Sequence, residues 1–219
     1  MHEAASAVKE SPCILGQEQG VFAVYKPSGW VVHPAGEDDV PDLISWLTDQ
    51  GEGALPVHRL DRSTSGVVLC SPDAAVRARL GQWFAERLIE KRYLALVHGE
   101  LNRKGVIRDP LRDTRRGRKV EAVTRYQCLE QLEGFSLLEL HPETGRKHQI
   151  RRHLQGLGHP IVGDRRYGPS DFQRIPGSPE RLWLHAQAVR LPTGLSFEAP
   201  LPDVLERHRD LMRNPISAD

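Results

Sequence analysis

In the string His58-Arg59-Leu60-Asp61-Arg62-Ser63-Thr64-Ser65-Gly66, one carboxylate stands between two guanidinium groups, ahead of three hydroxyl-bearing residues and a glycine. Permanent positive charge on both sides favours the ionised form, so Asp61 is expected to be an anion at neutral pH. Such a carboxylate is available as a nucleophile or as the electrostatic partner of a developing positive charge. The hydroxyls and the glycine suit a tight loop that presents it at the mouth of a cleft, because short polar side chains bond their own backbone. An ordinary surface loop with an Arg-Asp pair ahead of a buried strand would use the same residue types, and apolar Val67-Val68-Leu69-Cys70 does follow at once. The rest of the chain decides between the two readings.

Three further strings carry charge and aromatic groups in a compact pattern. They are Tyr25-Lys26-Pro27-Ser28-Gly29-Trp30-Val31-Val32-His33, then Lys91-Arg92-Tyr93-Leu94-Ala95-Leu96-Val97, then Thr144-Gly145-Arg146-Lys147-His148-Gln149-Ile150-Arg151-Arg152-His153, continued by Gly158-His159-Pro160-Ile161-Val162-Gly163-Asp164. Together with His58 to Gly66, and in this order, they resemble the motifs of the RluA-type pseudouridine synthases. The resemblance runs from Tyr25 to about Leu184. It implies an enzyme that isomerises uridine in RNA, with Asp61 as the catalytic aspartate, Tyr93 as the active-site tyrosine and Arg151 as the arginine that pairs with the carboxylate. Lys147 and Arg152 depart from the commonest form of the third motif and lean towards the branch containing tRNA pseudouridine synthase C, with a ribosomal RNA stem-loop as the competing substrate.

Isomerisation cuts the N1–C1′ bond of the nucleoside, turns the base and forms a C5–C1′ bond. Glycosidic cleavage commonly uses two carboxylates. A uracil leaving group can delocalise its own negative charge, so one carboxylate is enough, and no cofactor is expected. Asp61 either attacks the sugar or removes a ribose proton. Tyr93 is expected against the uracil, where it could take the C5 proton. Arg59 is the candidate to fill the stack left by an extruded uridine or to bind its phosphate, since a base inside folded RNA must be unstacked before it can react. Lys26, His58, Arg62, Arg146, Lys147, His148 and Arg152 are further RNA-contact candidates, with Arg115, Arg116, Arg118 and Lys119 of the basic run. The spacing of His58, His148 and His153 fits no zinc pattern, so no metal site is expected. A rival reading keeps the scaffold as an RNA-binding or folding factor with little turnover. It leaves Asp61 without a purpose that repays burying a charge.

Charge supports an RNA partner although the chain of 219 residues carries only +1 overall. Between Arg103 and Lys119 there are eight Lys or Arg against two Asp, and between Arg146 and Arg166 six against one, leaving about −10 on the remainder. Basic segments on an acidic body are an electrostatic footprint for phosphates. Hydrophobic content of 39% and charge of 27% describe an ordinary globular chain. Without an apolar leader or a run long enough to span a bilayer, a cytoplasmic location and no membrane partner are expected. Cys13, Cys70 and Cys128 read as reduced core thiols. A monomer is the expected state.

The elements that must position these residues follow from periodicity. Short strands are predicted at Val21 to Tyr25 and Val31 to His33, flanking the Pro27-Ser28-Gly29 turn. A helix is predicted over Asp42 to Gln50, a buried strand over Gly66 to Ser71, and a helix from Pro72-Asp73 to Leu88 with Leu80, Phe84 and Leu88 as its core stripe. Strands follow at Tyr93 to His98, Glu121 to Leu129 and Phe135 to Leu140. Leu101 to Lys119 reads as a basic loop with at most short extended pieces. A helix from about Lys147 would put His148, Arg151 and Arg152 on a cleft face and Ile150, Leu154 and Leu157 on the core face. Strands at Pro160 to Val162, Leu182 to Leu191 and Leu195 to Glu198 and a helix over Pro202 to Met212 complete an α+β chain. The family resemblance implies the pseudouridine-synthase fold, a long mixed and mainly antiparallel sheet with flanking helices and a central cleft. It divides the chain into an N-terminal extension over 1–17 without an S4-type RNA-binding module, one catalytic domain over 18–214 and a tail over 215–219.

Overall fold

Two adjacent strands are buried at every position because they are covered on both faces. In the computed structural model, β2 (Val21–Lys26) and β4 (Ser65–Ser71) pair antiparallel. Val21, Ala23, Val67 and Leu69 pack with Leu80 of helix α2 (Ala74–Ala85) on one side. Phe22, Val24, Val68 and Cys70 pack with Leu43 and Leu47 of α1 (Leu43–Asp49) on the other. The structure describes residues 10–34, 40–101, 103–114, 116–169, 175, 177 and 179–213.

Both helices start on a side-chain cap at the positions where the sequence begins them. Asp42 accepts from Ser45 N at 2.9 Å, and Asp73 accepts from Ala75 N and Val76 N at 2.6 and 3.2 Å. Helix α2 stops short of its expected end, since Arg87 takes a left-handed backbone (φ 62°) and leaves Leu88 47% exposed and off the core stripe.

The remaining strands are β1 (Cys13–Glu18), β3 (Leu55–Pro56), β5 (Glu90–His98), β6 (Lys104–Ile107), β7 (Leu111–Asp113), β8 (Arg118–Val120), β9 (Thr124–Leu132), β10 (Phe135–Pro142), β11 (Leu184–Arg190) and β12 (Ser196–Glu198). They build a ten-stranded sheet in the order β1-β2-β4-β11-β5-β10-β9-β6, with β12 beside β11 and β3 beside β4. Its pairings are antiparallel apart from β4 with β11, which meet in parallel at only Ser65–His185 and Gly66–Ala186. The second half of the sheet packs Leu96, Leu138 and Leu140 with Ile150 and Leu154 of α3 (Gln149–Gly156) and Leu205 of α4 (Asp203–Arg213). The α+β architecture, with a long mixed sheet and flanking helices, is therefore as expected.

Several local expectations change. Strand β1 starts at Cys13, so the sheet begins inside the segment expected to be an extension. Val31 and Ile161 make isolated bridges, to Asp42 and Val97, in place of the expected short strands. The basic connection holds three strands: β6 closes the sheet edge, while β7 and β8 form a separate hairpin. Leu157, expected on the core face, follows α3 and is 41% exposed. All three cysteines are free, but only Cys70 is buried and Cys13 is exposed. Among the described residues no helix is long and apolar enough to cross a membrane.

Candidate active site

Asp61 lies in the connection between β3 and β4, which is tied down from both ends. Leu60 is buried in the core beneath α1, and Thr64 N donates to Asp61 O at 3.0 Å. The Lys26 to Gly29 turn clamps the loop: Gly29 N donates to Arg62 O at 2.8 Å, Ser28 Oγ to Ser63 O at 3.0 Å, and Arg62 Nε returns a bond to Gly29 O at 3.2 Å. The Asp61 side chain remains 26% exposed at the end of this clamp.

Lys26 is the pin of the clamp and not an RNA contact. Its side chain is fully buried, and Nζ donates to Pro27 O, Trp30 O and Arg62 O at 2.8, 2.9 and 3.3 Å. Burial, and then the nearby Arg181 charge, lower its pKa to about 7, while Asp61 opposes the shift. His58 also turns inward. Its Nε2 accepts from Leu69 N at 3.0 Å, its ring packs 4.7 Å from Phe84, and burial followed by the Lys91 charge lowers its pKa to about 3. A neutral imidazole spent on a backbone amide is structural, which corrects its expected place among the RNA contacts.

Helix α3 brings the opposite wall. Gln149 fixes its start: Oε1 accepts from Thr144 Oγ1 and Arg146 N, and Nε2 donates to Val123 O and Thr124 Oγ1. His148 caps the helix in a left-handed conformation (φ 54°), its Nε2 3.8 Å from Asp61 Oδ1 and its Nδ1 3.0 Å from Tyr167 Oη. Burial lowers the His148 pKa, the Asp61 charge pulls it back up, and Arg151, Lys147 and Arg166 add to the lowering.

Arg151 is turned towards the same centre but makes a different pair from the one expected. Nε and Nη2 bind Asp164 Oδ2 and Oδ1, both at 2.7 Å, so the fork closes on Asp164 and not on Asp61. Asp164 has no exposed side-chain surface and also accepts from Arg166 N and Tyr167 N. Burial opposes the charge of each partner. Their mutual bonds outweigh it, with the Asp61 charge adding to the effect at Arg151, so Arg151 stays protonated and Asp164 ionised. Arg151 also lies over the Tyr167 ring, 5.0 Å from its centre.

Tyr93, on β5, touches both halves of the core. Burial and then the charge of Asp61 push its phenol well above the usual range. Asp61, His148, Arg151 and Tyr93 thus converge on one locus.

The other expected RNA contacts surround it unevenly. Arg59, Lys147, Arg118 and Lys119 are exposed. Arg62 is exposed but binds Gly29, and Arg146 Nε donates to Glu121 O at 2.9 Å. Arg152 leaves the expected shared face to bond Arg112 O at 3.2 Å, beside the β7–β8 hairpin. Arg116 pairs with Asp113 at 3.7 Å. Arg115 lies outside the described residues. His153 is structural, bonded to Thr124 Oγ1 and Asp109 O. No group of three or more His, Cys, Asp or Glu side chains among the described residues is arranged to hold a metal.

Sequence reasoning missed Asp164, Tyr167 and Gln149 as site-builders. One signal was on view, since Asp164 is the single acid in the basic stretch Arg146 to Arg166.

Comparison with known proteins shows what the chain is similar to. A family model described as RNA pseudouridylate synthase matches residues 20–156. The chain is 38% identical over 207 residues to tRNA pseudouridine synthase C of Salmonella typhimurium strain LT2, covering 81% of this chain and 79% of that one. It is 32% identical over 225 residues to the Bacillus subtilis protein described as "Uncharacterized RNA pseudouridine synthase YlyB", covering 92% and 73%. The solved structure titled "Human RNA Pseudouridylate Synthase Domain Containing 4" superposes with a TM-score of 0.75 at 28% identity, over 91% of this chain and 92% of that one. The chain belongs to the RNA pseudouridylate synthase family.

Proposed function

We propose that this protein isomerises a uridine of tRNA to pseudouridine in the cytoplasm, with Asp61 as the group that acts on the sugar. One observation carries the reading: the Asp61 carboxylate lies 3.8 Å from His148 Nε2, and its charge is felt by Tyr93 of β5 and Arg151 of α3. A mere binding surface gives no reason to gather a carboxylate, an imidazole, a phenol and a guanidinium at one partly buried point.

In the reaction the N1–C1′ bond breaks, the base rotates, C5 bonds to C1′, and the C5 proton is lost while N1 gains one. Asp61 either bonds C1′ or removes a ribose proton, and in both routes it must begin as an anion. Arg151 supplies positive potential near it without a direct bond that would occupy its oxygens, while His148, its pKa lowered by burial, stands 3.8 Å away as a neutral imidazole. Tyr93 stays a phenol at neutral pH, because ionising it would put a second negative charge beside Asp61 in a buried site. That favours a packing and donating role against the uracil over taking the C5 proton. Arg59, exposed on the same loop, is available to replace the extruded base.

The tRNA substrate rests on the name of the Salmonella relative and on the sequence of the third motif. Tritium release from RNA labelled at uridine C5 tests the activity: the native protein gives release and Asp61→Asn gives none, whereas equal release from both removes Asp61 from the chemistry. Mapping pseudouridines in a deletion strain, before and after the gene is restored, identifies the RNA. A site that returns in ribosomal RNA alone refutes the tRNA assignment.

A further inference from the structure

Behind the catalytic loop lies a cavity of about 390 Å³ whose lining excludes Asp61, Tyr93 and His148. Five of its lining residues are arginines: Arg62, Arg151, Arg165, Arg166 and Arg181. Asp164 neutralises Arg151 through two bonds, and Glu180 is the one other acid in the lining. The lining carries an excess of three positive charges, reduced to two by Glu10, which pairs with Arg181 at 4.0 Å from outside it, around a space large enough for a phosphate group.

These cations differ in what they already hold. Arg181 is largely buried and gives Nη2 to Ser65 Oγ at 2.6 Å and Nε to Leu182 O at 3.3 Å. Arg62 spends Nε on Gly29 O. The side chains of Arg165 and Arg166 are exposed, and neither makes a hydrogen bond or ion pair among the described residues; Arg166 rests over the Tyr167 ring. The positive potential reaches inward as well, since Arg181 helps burial to disfavour the charge on Lys26. Cations gathered this closely repel one another, and an anion between them would relieve the repulsion. Paired guanidinium forks match the oxygens of a phosphate better than point charges do.

We propose that this cavity is a subsite for a backbone phosphate of the RNA next to the nucleotide held at Asp61, with Arg165 and Arg166 as its entrance and Arg62 and Arg181 as its floor. The assignment deepens the RNA isomerase reading and rests on it. Arg62 and Ser63 follow Asp61 directly in the chain, so a strand that delivers its base to Asp61 has its backbone beside this wall. A free anion such as orthophosphate shares the chemistry, and the experiment separates the two sources.

The test is equilibrium binding of tRNA to the full chain as a function of KCl, for the native protein and for Arg165→Ala/Arg166→Ala. Losing one phosphate contact should reduce the slope of log K against log salt by about 0.7 to 0.9. Affinity at fixed salt should fall about tenfold, and in turnover the rise in KM should exceed the fall in kcat. A single uncharged methylphosphonate beside the target uridine should weaken binding of the native protein and add nothing to the defect of the variant. Arg165→Lys/Arg166→Lys should recover most of the slope, which separates lost charge from a folding defect. Equal slopes for the native protein and the Ala variant overturn the subsite. Thermal stabilisation by orthophosphate that the Ala variant lacks, with RNA slopes unchanged, also overturns it by assigning the cavity to a free anion. Binding is read without turnover, so a lost slope in a protein that releases no tritium keeps the subsite and removes the isomerase reading.

Discussion

The Arg151–Asp164 pair shows how a guanidinium can be held near the carboxylate proposed to act on the sugar without being bonded to it. Two bonds of 2.7 Å fix its plane, and Asp164 is itself held by two backbone amides. Asp164→Ala leaves a buried guanidinium without its partner, which should cost about 3–5 kcal/mol in urea unfolding. Because Asp164 acts through Arg151, kcat for tritium release should fall far more than KM rises, and an unchanged kcat would show that Arg151 needs no such support. A second residue-scale consequence concerns acid. Burial lowers the pKa of His58 to about 3 and of His185 to about 4, against 6.5 for the free side chain. Between those values the unfolded chain binds protons that the folded one refuses, so stability falls as pH drops below about 6.5. Each histidine should remove about 2 kcal/mol between pH 7 and pH 5. His58→Gln keeps an acceptor for Leu69 N and should flatten that loss by roughly one histidine's share; a parallel pH curve would refute the neutral, buried assignment. At this scale the sequence misled where a charged type was read as exposed, and the partner expected for Arg151 was Asp61 where the structure has Asp164. Lys26 looked like a phosphate contact, because lysine is rarely buried. Its burial depends on three carbonyls delivered by Pro27, Trp30 and Arg62, and the last of these comes from a distant part of the chain.

Among the elements, those with local signals agreed with their prediction and those set by distant contacts did not. Helix α1 falls within a residue of its predicted bounds, because Asp42 caps it and its apolar spacing is helical. The β7–β8 hairpin is two of the short extended pieces the charge run allowed for, but their pairing was not legible from periodicity. Gly66 is the sharpest case. It opens the predicted strand and lies within β4, but the two tertiary facts that require a glycine there were not legible. Its φ is +127°, and any Cβ there would overlap the Ala186 carbonyl oxygen where β4 and β11 run side by side. Gly66→Ala must therefore push two strands apart at the base of the catalytic loop. We expect a loss of at least about 2–3 kcal/mol in thermal or urea unfolding, with tritium release falling in step. A variant of native stability would mean that the two strands are not in register at this point.

At the scale of the whole molecule, the site straddles a seam. Asp61 hangs from the half of the sheet built on β2 and β4, and Arg151 from the half built on β5, β9 and β10; β4 and β11 join the halves through two residue pairs. Tyr93 packs against the cores of both. So short a ladder needs reinforcement, and Ser65 provides it. Its hydroxyl accepts from Arg181 at 2.6 Å and bonds His185 Nδ1 at 2.9 Å, while His185 Nε2 lies 3.2 Å from Ala199 O. A carbonyl can only accept, so Nε2 carries the ring proton, Nδ1 is the acceptor, and the Ser65 hydroxyl donates to it. Every polar atom of this buried chain is thereby matched. Ser65→Ala strands a guanidinium N–H and an imidazole nitrogen at the seam, which should cost about 1–3 kcal/mol. The functional effect should exceed what stability alone predicts, because at a temperature where the variant is fully folded the two halves still hold Asp61 and Arg151 less firmly in register. Tritium release per folded molecule should fall several-fold while RNA affinity, which the proposed reading assigns to surface arginines and lysines on both halves, stays close to native. Equal turnover per folded molecule would show that the two-pair ladder and the cores fix the site without the polar bridge.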